Sequence, residues 1–525
     1  MLLPPKNETC TPHPIVRIPL WFAKSAPLVC LLLVTFTLQP PSRVWAATGS
    51  QAAVANENRA VTLPPTPAGR QFAEWLRVFN GGDTNATRSF ISKHFAEPAL
   101  KRIPTEARVN MDTVLYNTTR GLVPYHLDWS TDPEITVSAR ANLTEESVRI
   151  HLEVGSDPLH QITKFGFTLT GHPADTTSLE NLSESQMLQR LEMYLKKLVA
   201  ADMFSGSVLV AKNGNPIFQN AYGYANIDAK IPNQLNTKFN LASMNKMFTG
   251  VAIAQLVAQG KLSFDDTMGK YLPDYPNKEA AREVTIHQLL THTSGMGDYF
   301  NSRFERNLKS VRDYFPLFAN ERLSFKPGDR YRYSNAGYIV LGAIIEEVSG
   351  QSYFDYVREH IYKSAGMSDT DSYEIDRDTP SRAAGYTNVG PKGLELLSRK
   401  DDLPLLPVKG GPAGGGFSTV QDLLKFAEAL RTHKLLNPKF TELVLAGKVE
   451  RDDEMDGKYA YGFAEDRVNG KRIVGYAGAY PGVNGEFDVY PDLGYTVVVL
   501  SNYDPPSAQR VAYQLREMST HLAAH

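Results

Sequence analysis

Ser243 and Lys246 form the only Ser-x-x-Lys in the chain, within Leu241-Ala242-Ser243-Met244-Asn245-Lys246. A serine hydroxyl becomes a useful nucleophile when a neighbouring base takes its proton. On a helix, a spacing of three brings the amine to the serine's face, one turn away. Tyr333 and Asn335, in Tyr331-Arg332-Tyr333-Ser334-Asn335-Ala336-Gly337-Tyr338, bring a phenol and an amide. A free tyrosine titrates near pH ~10 and a free lysine near ~10.4, so neither is a base at neutral pH. Lowering one by about 3 units requires about 4 kcal/mol of differential interaction. Burial beside the other group and near a helix N-terminus can supply it. Gly475-Tyr476-Ala477-Gly478-Ala479-Tyr480-Pro481-Gly482 is the third stretch of interest. A glycine such as Gly478 at a strand end leaves an open edge for a substrate to lie against. Each stretch also has a plain reading. Ser243 could cap a helix beside a solvated lysine, Tyr333 could line a core, and Asn335 could cap its own helix.

Secondary-structure elements must hold these groups in place. A helix beginning near Ser243 is predicted from Met247, Val251, Ile253, Leu256 and Val257, with Gly260 as its stop. A second, after Asn335, follows from Leu341, Ile344, Ile345 and Val348 and ends at Gly350. Ser207 to Lys212 and Pro216 to Asn220, around Asn213-Gly214, read as a hairpin. Arg472 to Tyr476, Gly485 to Tyr490 and Tyr495 to Ser501 read as strands, and Ser507 to Leu522 as a last helix. One sheet built from both ends of this region, with a helical insertion between, would put the Ser243 helix at a cleft.

Ser-x-x-Lys, then Tyr-x-Asn about ninety residues on, then a strand ending in x-x-Gly, resembles the serine β-lactamase and penicillin-binding superfamily. The likeness is to its class C-related branch of D-peptidases and esterases, and it covers about residues 185 to 525. Phe239-Asn240-Leu241-Ala242-Ser243, Tyr271-Leu272-Pro273-Asp274-Tyr275, Leu289-Leu290-Thr291-His292-Thr293-Ser294-Gly295 and Gly411-Pro412-Ala413-Gly414-Gly415-Gly416 belong to it. The resemblance implies that Ser243 forms an acyl-enzyme and that Lys246 and Tyr333 share the proton work. It implies that Asn335 holds Lys246 and a substrate amide, and that the backbone N–H groups of Ser243 and Ala479 form the oxyanion hole. His292 is expected to be structural, and Tyr299 and Phe300 to border an acyl pocket. The third motif usually opens with Lys or His and here opens with Tyr476. A carboxylate-bearing substrate would lose its cation there, unless Arg472 or Arg332 replaces it. The expected activity is therefore ester or amide hydrolysis. A β-lactamase or D,D-carboxypeptidase is the alternative, and a non-catalytic penicillin-binding or sensor protein the rival of another class.

The whole chain carries a formal charge of -2 over 525 residues, with 21% charged. It has no basic tract and no zinc-type Cys/His spacing, so nucleic acid, metal and cofactor are not expected. The partner expected is a small-molecule or peptide-like substrate. Lys6, Arg17 and Lys24 precede an apolar run from Ala26 to Leu38, and Val44-Trp45-Ala46 offers a cleavage site. Residues 1–46 thus read as an export signal, with no stable membrane span left after cleavage. Both cysteines, Cys10 and Cys30, lie in it. A bacterial periplasmic or secreted protein is expected.

Residues 47–66 read as a linker. Residues 67–175 form a separate α+β unit, with helices from Gly69 and from Ala86 to Phe95, then strands at 121–129, 134–139, 147–154 and 162–169. Its opening helix and Phe79-Asn80-Gly81-Gly82-Asp83 turn resemble the cone-shaped SnoaL-like domains. The fold class is α+β throughout: a β-lactamase-like domain at 183–525, with an antiparallel sheet flanked by helices plus a helical subdomain, behind a small cone.

Overall fold

Thr66 accepts the Gly69 N–H at 3.1 Å and Pro67 follows it, which starts helix α1 (Pro67–Asn80). The computed structural model describes residues 61–173, 181–390, 393–394, 399–402, 405–451 and 457–522. The stretch expected to be an export leader and most of the expected linker lie outside these. Helix α1 buries Phe72, Trp75 and Phe79. Helix α2 (Thr84–His94) is capped by Asp83. Helices α3 (Glu97–Arg102) and α4 (Thr105–Thr119) are additions to the sequence reading. Helix α4 buries Arg108, Asp112 and Thr119 beside Val109 and Leu115, so its inward face carries no apolar stripe to read. Trp75 Nε1 donates to Asp112 there at 3.1 Å. Strands β1 (Leu122–Ser130), β2 (Glu134–Ala141), β3 (Glu146–Val154) and β4 (Ile162–Pro173) form an antiparallel sheet in chain order.

Helix α5 (Glu184–Ala200) opens the second unit with a Ser183/Gln186 capping box. Strands β5 (Gly206–Lys212) and β6 (Asn215–Tyr222) follow, joined through Asn213 and Gly214 at φ 50 and 81. Both turn residues need left-handed backbone, which Asn-Gly supplies. The chain then leaves the sheet for helix α6 (Asn245–Ala258), helix α7 (Asn335–Ser349) and helix α8 (Val420–Arg431). It returns through two short strands, Val449–Glu450 and Gly457–Tyr459, and then β7 (Ala464–Val468), β8 (Lys471–Tyr480), β9 (Val483–Tyr490) and β10 (Tyr495–Ser501), before helix α9 (Gln509–Thr520). Strand β10 pairs with β5 from Tyr495↔Lys212 to Ser501↔Gly206, which closes one antiparallel sheet from the two ends of the unit.

The sheet is buried on both faces. Val498 and Leu500 pack with α6 and α7 in one core, while Val497 and Val499 pack with α5 and α9 in the other. That double burial explains why Tyr495–Ser501 is buried at every position and Val497–Leu500 is continuously apolar rather than alternating. The front unit rests on the α5/α9 side. Arg510 Nε lies 3.4 Å from Glu146 Oε1, Tyr194 OH donates to Glu146, and Lys197 pairs with Glu145 at 2.8 Å.

Candidate active site

The nucleophile's turn is bent before the helix starts. Asn240 Oδ1 accepts the Ala242 N–H at 2.8 Å, and Ala242 adopts φ 42, a left-handed conformation costly for a residue with a Cβ. Ala242–Met244 form a 3-10 turn, and α6 begins at Asn245. The expected start near Ser243 holds to within two residues: the serine sits in the 3-10 turn that leads into the helix, and its side chain caps nothing. Its oxygen is left for Tyr333 OH at 2.7 Å and Lys246 Nζ at 3.2 Å. Helix α6 ends at Ala258 with Gln259 as its C-cap, and Gly260 follows in left-handed backbone at φ 70.

Lys246 is fully buried. Its Nζ donates to Asn335 Oδ1 at 2.8 Å and to the Ala413 carbonyl at 2.5 Å. Burial pushes its ammonium down to about 7, and Asp298 partly opposes this. The glycine-rich segment around Ala413 is strapped to the same turn. Gly415 N–H donates to Ala242 O, Gly416 N–H to Asn245 Oδ1, and Thr249 Oγ1 to Pro412 O.

Tyr333 lines the cleft with 37% of its surface exposed, while burial around its phenol pushes that group well up. That hydroxyl also bonds to Tyr476, whose own hydroxyl accepts from Tyr459 OH at 3.0 Å. Tyr476 is thus spent within a row of phenols. Arg472 is engaged by Glu442 at 3.1 Å and Glu465 at 3.3 Å, and Arg332 Nη1 donates to Ser324 Oγ at 2.6 Å.

Asn335 does not cap α7. Ser334 does, accepting the Gly337 N–H at 3.1 Å. Asn335, one residue inside, keeps its side chain for Lys246 and for Asp298, whose Oδ2 accepts Nδ2–H at 2.7 Å.

His292 is fully buried among the rings of Tyr333, Tyr338 and Tyr459, at 4.5, 5.1 and 4.5 Å. Its Nδ1 accepts the Ser334 N–H, so the ring proton sits on Nε2. Burial and Lys246 hold the imidazolium far below its usual range. A neutral ring with no bond to Ser243 is built as a wall. Phe300 faces Tyr480 at 5.5 Å and packs tilted against buried Tyr299 at 4.5 Å, an aromatic border beside Ala479.

Gly478 is glycine for a reason other than the one expected. A Cβ there would stand 2.2 Å from the Leu241 carbonyl, so the strand lies flush against the Ser243 turn. Close backbone packing, rather than an open substrate edge, forbids a side chain. Ala479 follows on β8, paired with Asn484 of β9. Asn484 Nδ2 donates to Gly478 O and its Oδ1 accepts from the start of α9.

The sequence reading missed three contributors. Asp298 and Tyr459 carry no motif spacing, and the Ala413 carbonyl is backbone. The resemblance had marked the Ala413 segment but not what it does.

A model of the beta-lactamase family matches residues 191–519. The chain is 31% identical over 329 residues to a penicillin-binding protein of Bacillus subtilis (strain 168), covering 60% of this chain and 71% of that one. A crystal structure of a penicillin binding protein from Bacillus halodurans superposes with a TM-score of 0.55 at 36% identity, over 61% of this chain and 97% of the other. D-amino acid amidase from Ochrobactrum anthropi SV3 superposes with a TM-score of 0.55 at 21% identity, over 63% and 98%, a likeness of fold. The family match leaves the front unit, 61–173, outside it.

Proposed function

The chain belongs to the beta-lactamase family, and we propose that it is a serine hydrolase that cleaves esters or amides through an acyl-enzyme on Ser243. The observation that carries this is the approach of Tyr333 OH and Lys246 Nζ to one serine oxygen, at 2.7 and 3.2 Å. With its ammonium lowered to about 7, a large share of Lys246, about half, is the neutral amine at neutral pH. A neutral amine has two N–H bonds and one lone pair. Asn335 Oδ1 and Ala413 O take the N–H bonds, which leaves the lone pair for the Ser243 proton.

As the serine oxygen bonds to the carbonyl carbon, its proton passes to Nζ. The carbonyl π electrons move to oxygen, where the N–H groups of Ser243 and Ala479 would receive them; losing one such donor costs about 3 kcal/mol. Collapse expels the leaving group, protonated through Tyr333 OH, which Lys246 reprotonates. Tyr333, its phenol pushed up, works as a neutral relay and Lys246 as the base. Water then repeats the sequence in reverse to release the acid. Every step uses groups of this chain.

Tyr476 favours substrates without a carboxylate at that end, because its hydroxyl is engaged by Tyr333 and Tyr459. A second reading, penicillin acylation with or without turnover, is favoured by two relatives above 30% identity that are penicillin-binding proteins. An export leader at 1–46 and a periplasmic or secreted location fit either reading. Among the described residues no helix is long and apolar enough to cross a membrane. Helices over a four-stranded meander support the cone-like, SnoaL-type reading of the front unit as a binding or spacer domain.

Labelling with a fluorophosphonate and a fluorescent penicillin, with Ser243→Ala as control, tests the assignment. Labelling lost in the variant supports it; undiminished labelling defeats it. Short-chain aryl esters should turn over faster than nitrocefin, and the reverse ranking selects the second reading.

A further inference from the structure

Asn335 could present either end of its amide to Lys246, and the two ends differ in effect. With Oδ1 inward, the amide accepts an amine N–H, as observed at 2.8 Å. With Nδ2 inward, it would donate to the lone pair that Ser243 needs. Helix α7 does not choose, since Ser334 provides its cap. The choice falls to Asp298. Its Oδ1 accepts the Phe300 N–H at 3.1 Å, and its Oδ2 accepts Asn335 Nδ2–H at 2.7 Å. An ionised carboxylate only accepts, so a reversed Asn335 would set two acceptor oxygens against each other.

We propose that Asp298 is a positioning residue: it fixes the Asn335 amide with Oδ1 on Lys246, and so reserves the amine lone pair for Ser243. The proposal rests on the reading of Ser243 and Lys246 as nucleophile and base. Asp298 also acts on Lys246 by charge. The other titratable groups facing that amine are the phenols of Tyr333 and Tyr338, with rings 4.8 and 5.4 Å from Nζ, and the neutral imidazole of His292. The Asp298 carboxylate therefore favours the ammonium, against the burial that disfavours it.

Two measurements test this on the full chain. The first is the fluorophosphonate acylation rate in the wild type, Asp298→Ala, Asn335→Ala and the double variant. Asp298→Ala should acylate about 10- to 100-fold more slowly, the scale of a misplaced catalytic group. In the Asn335→Ala background the same change should cost less than about twofold, because the route through the amide is already gone. Equal losses in both backgrounds would mark a merely structural role and overturn the proposal, as would an unchanged rate. The second measurement is the Lys246 Nζ titration followed by NMR in lysine-labelled protein, which needs no substrate. Asp298→Asn, close in shape and expected to fold where Asp298→Ala does not, should move that titration to lower pH. Absence of acylation in the wild type would count against the nucleophile assignment. The titration then decides for Asp298, and a midpoint unmoved by Asp298→Asn refutes it.

Discussion

An ammonium taken out of water gives up hydration that its new neighbours must replace. Around Lys246 they replace it with three uncharged oxygens and a more distant carboxylate, which is too little to hold the proton at its usual strength. A pH dependence follows. Below about 7 the amine is protonated and has no lone pair, so acylation is slow; it rises as pH passes through about 7. A rate that stays flat from pH ~5 to ~8 would remove Lys246 from the base role. At Tyr476, Tyr476→Lys should raise penicillin acylation relative to aryl-ester hydrolysis by about tenfold, by restoring a cation worth about 1.4 kcal/mol to a carboxylate. An unchanged ratio would mean that the cleft does not meet the carboxylate there. Tyr459→Phe removes the donor to Tyr476 and should cost about 1 kcal/mol, roughly fivefold in rate. Ser243, Lys246, Tyr333 and Asn335 were legible because their chemical types are scarce in combination. Asp298 was not, since one carboxylate among 57 acidic residues has no spacing to announce it.

The elements meet where backbones touch. Strand β8 lies against the Ser243 turn so closely that Gly478→Ala would place a methyl group 2.2 Å from Leu241 O. Backbone cannot yield as a side chain can. The expected result is a loss of about 1–3 kcal/mol, a Tm lower by several degrees, and weak acylation. Gly411→Ala, in the loop strapped over the same turn, meets nothing within 4 Å and should be nearly neutral. Equal thermal melts for the two variants would contradict this account of the turn. The hairpin at Asn213-Gly214 and the stop at Gly350 could be read in advance, because a left-handed residue leaves a chemical mark. The buried face of α4 could not, because Arg108 and Asp112 break its stripe.

Across the molecule, the two units are joined by a buried charge pair. Glu146 is fully buried and Arg510 nearly so. Removing one partner strands the other, at a cost of about 3–5 kcal/mol. Arg510→Ala should therefore lower the Tm while leaving room-temperature acylation by the folded protein within about twofold, because α9 lies across the sheet from α6. Equal loss of acylation at temperatures where the variant stays folded would show that the front unit acts on the cleft.

By itself the sequence determined what recurs at short range: periodic apolar faces, turn glycines, and the few side chains whose order along the chain marks the chemistry. It placed the four strands of the front unit, five strands of the larger sheet and the α+β class, because burial there alternates or runs with a period that can be read; Ala464–Val468, with Glu465, Asp466 and Arg467 in its middle, offered no such period. The tertiary structure alone decided which groups meet. Ser243 and Tyr333 are 90 residues apart and Lys246 and Ala413 are 167 apart, and those contacts exist because β5 and β10 close one sheet around the helical insertion. It also decided the state of the amine, since the depressed titration of Lys246 comes from how little water and charge reach it once the chain has closed.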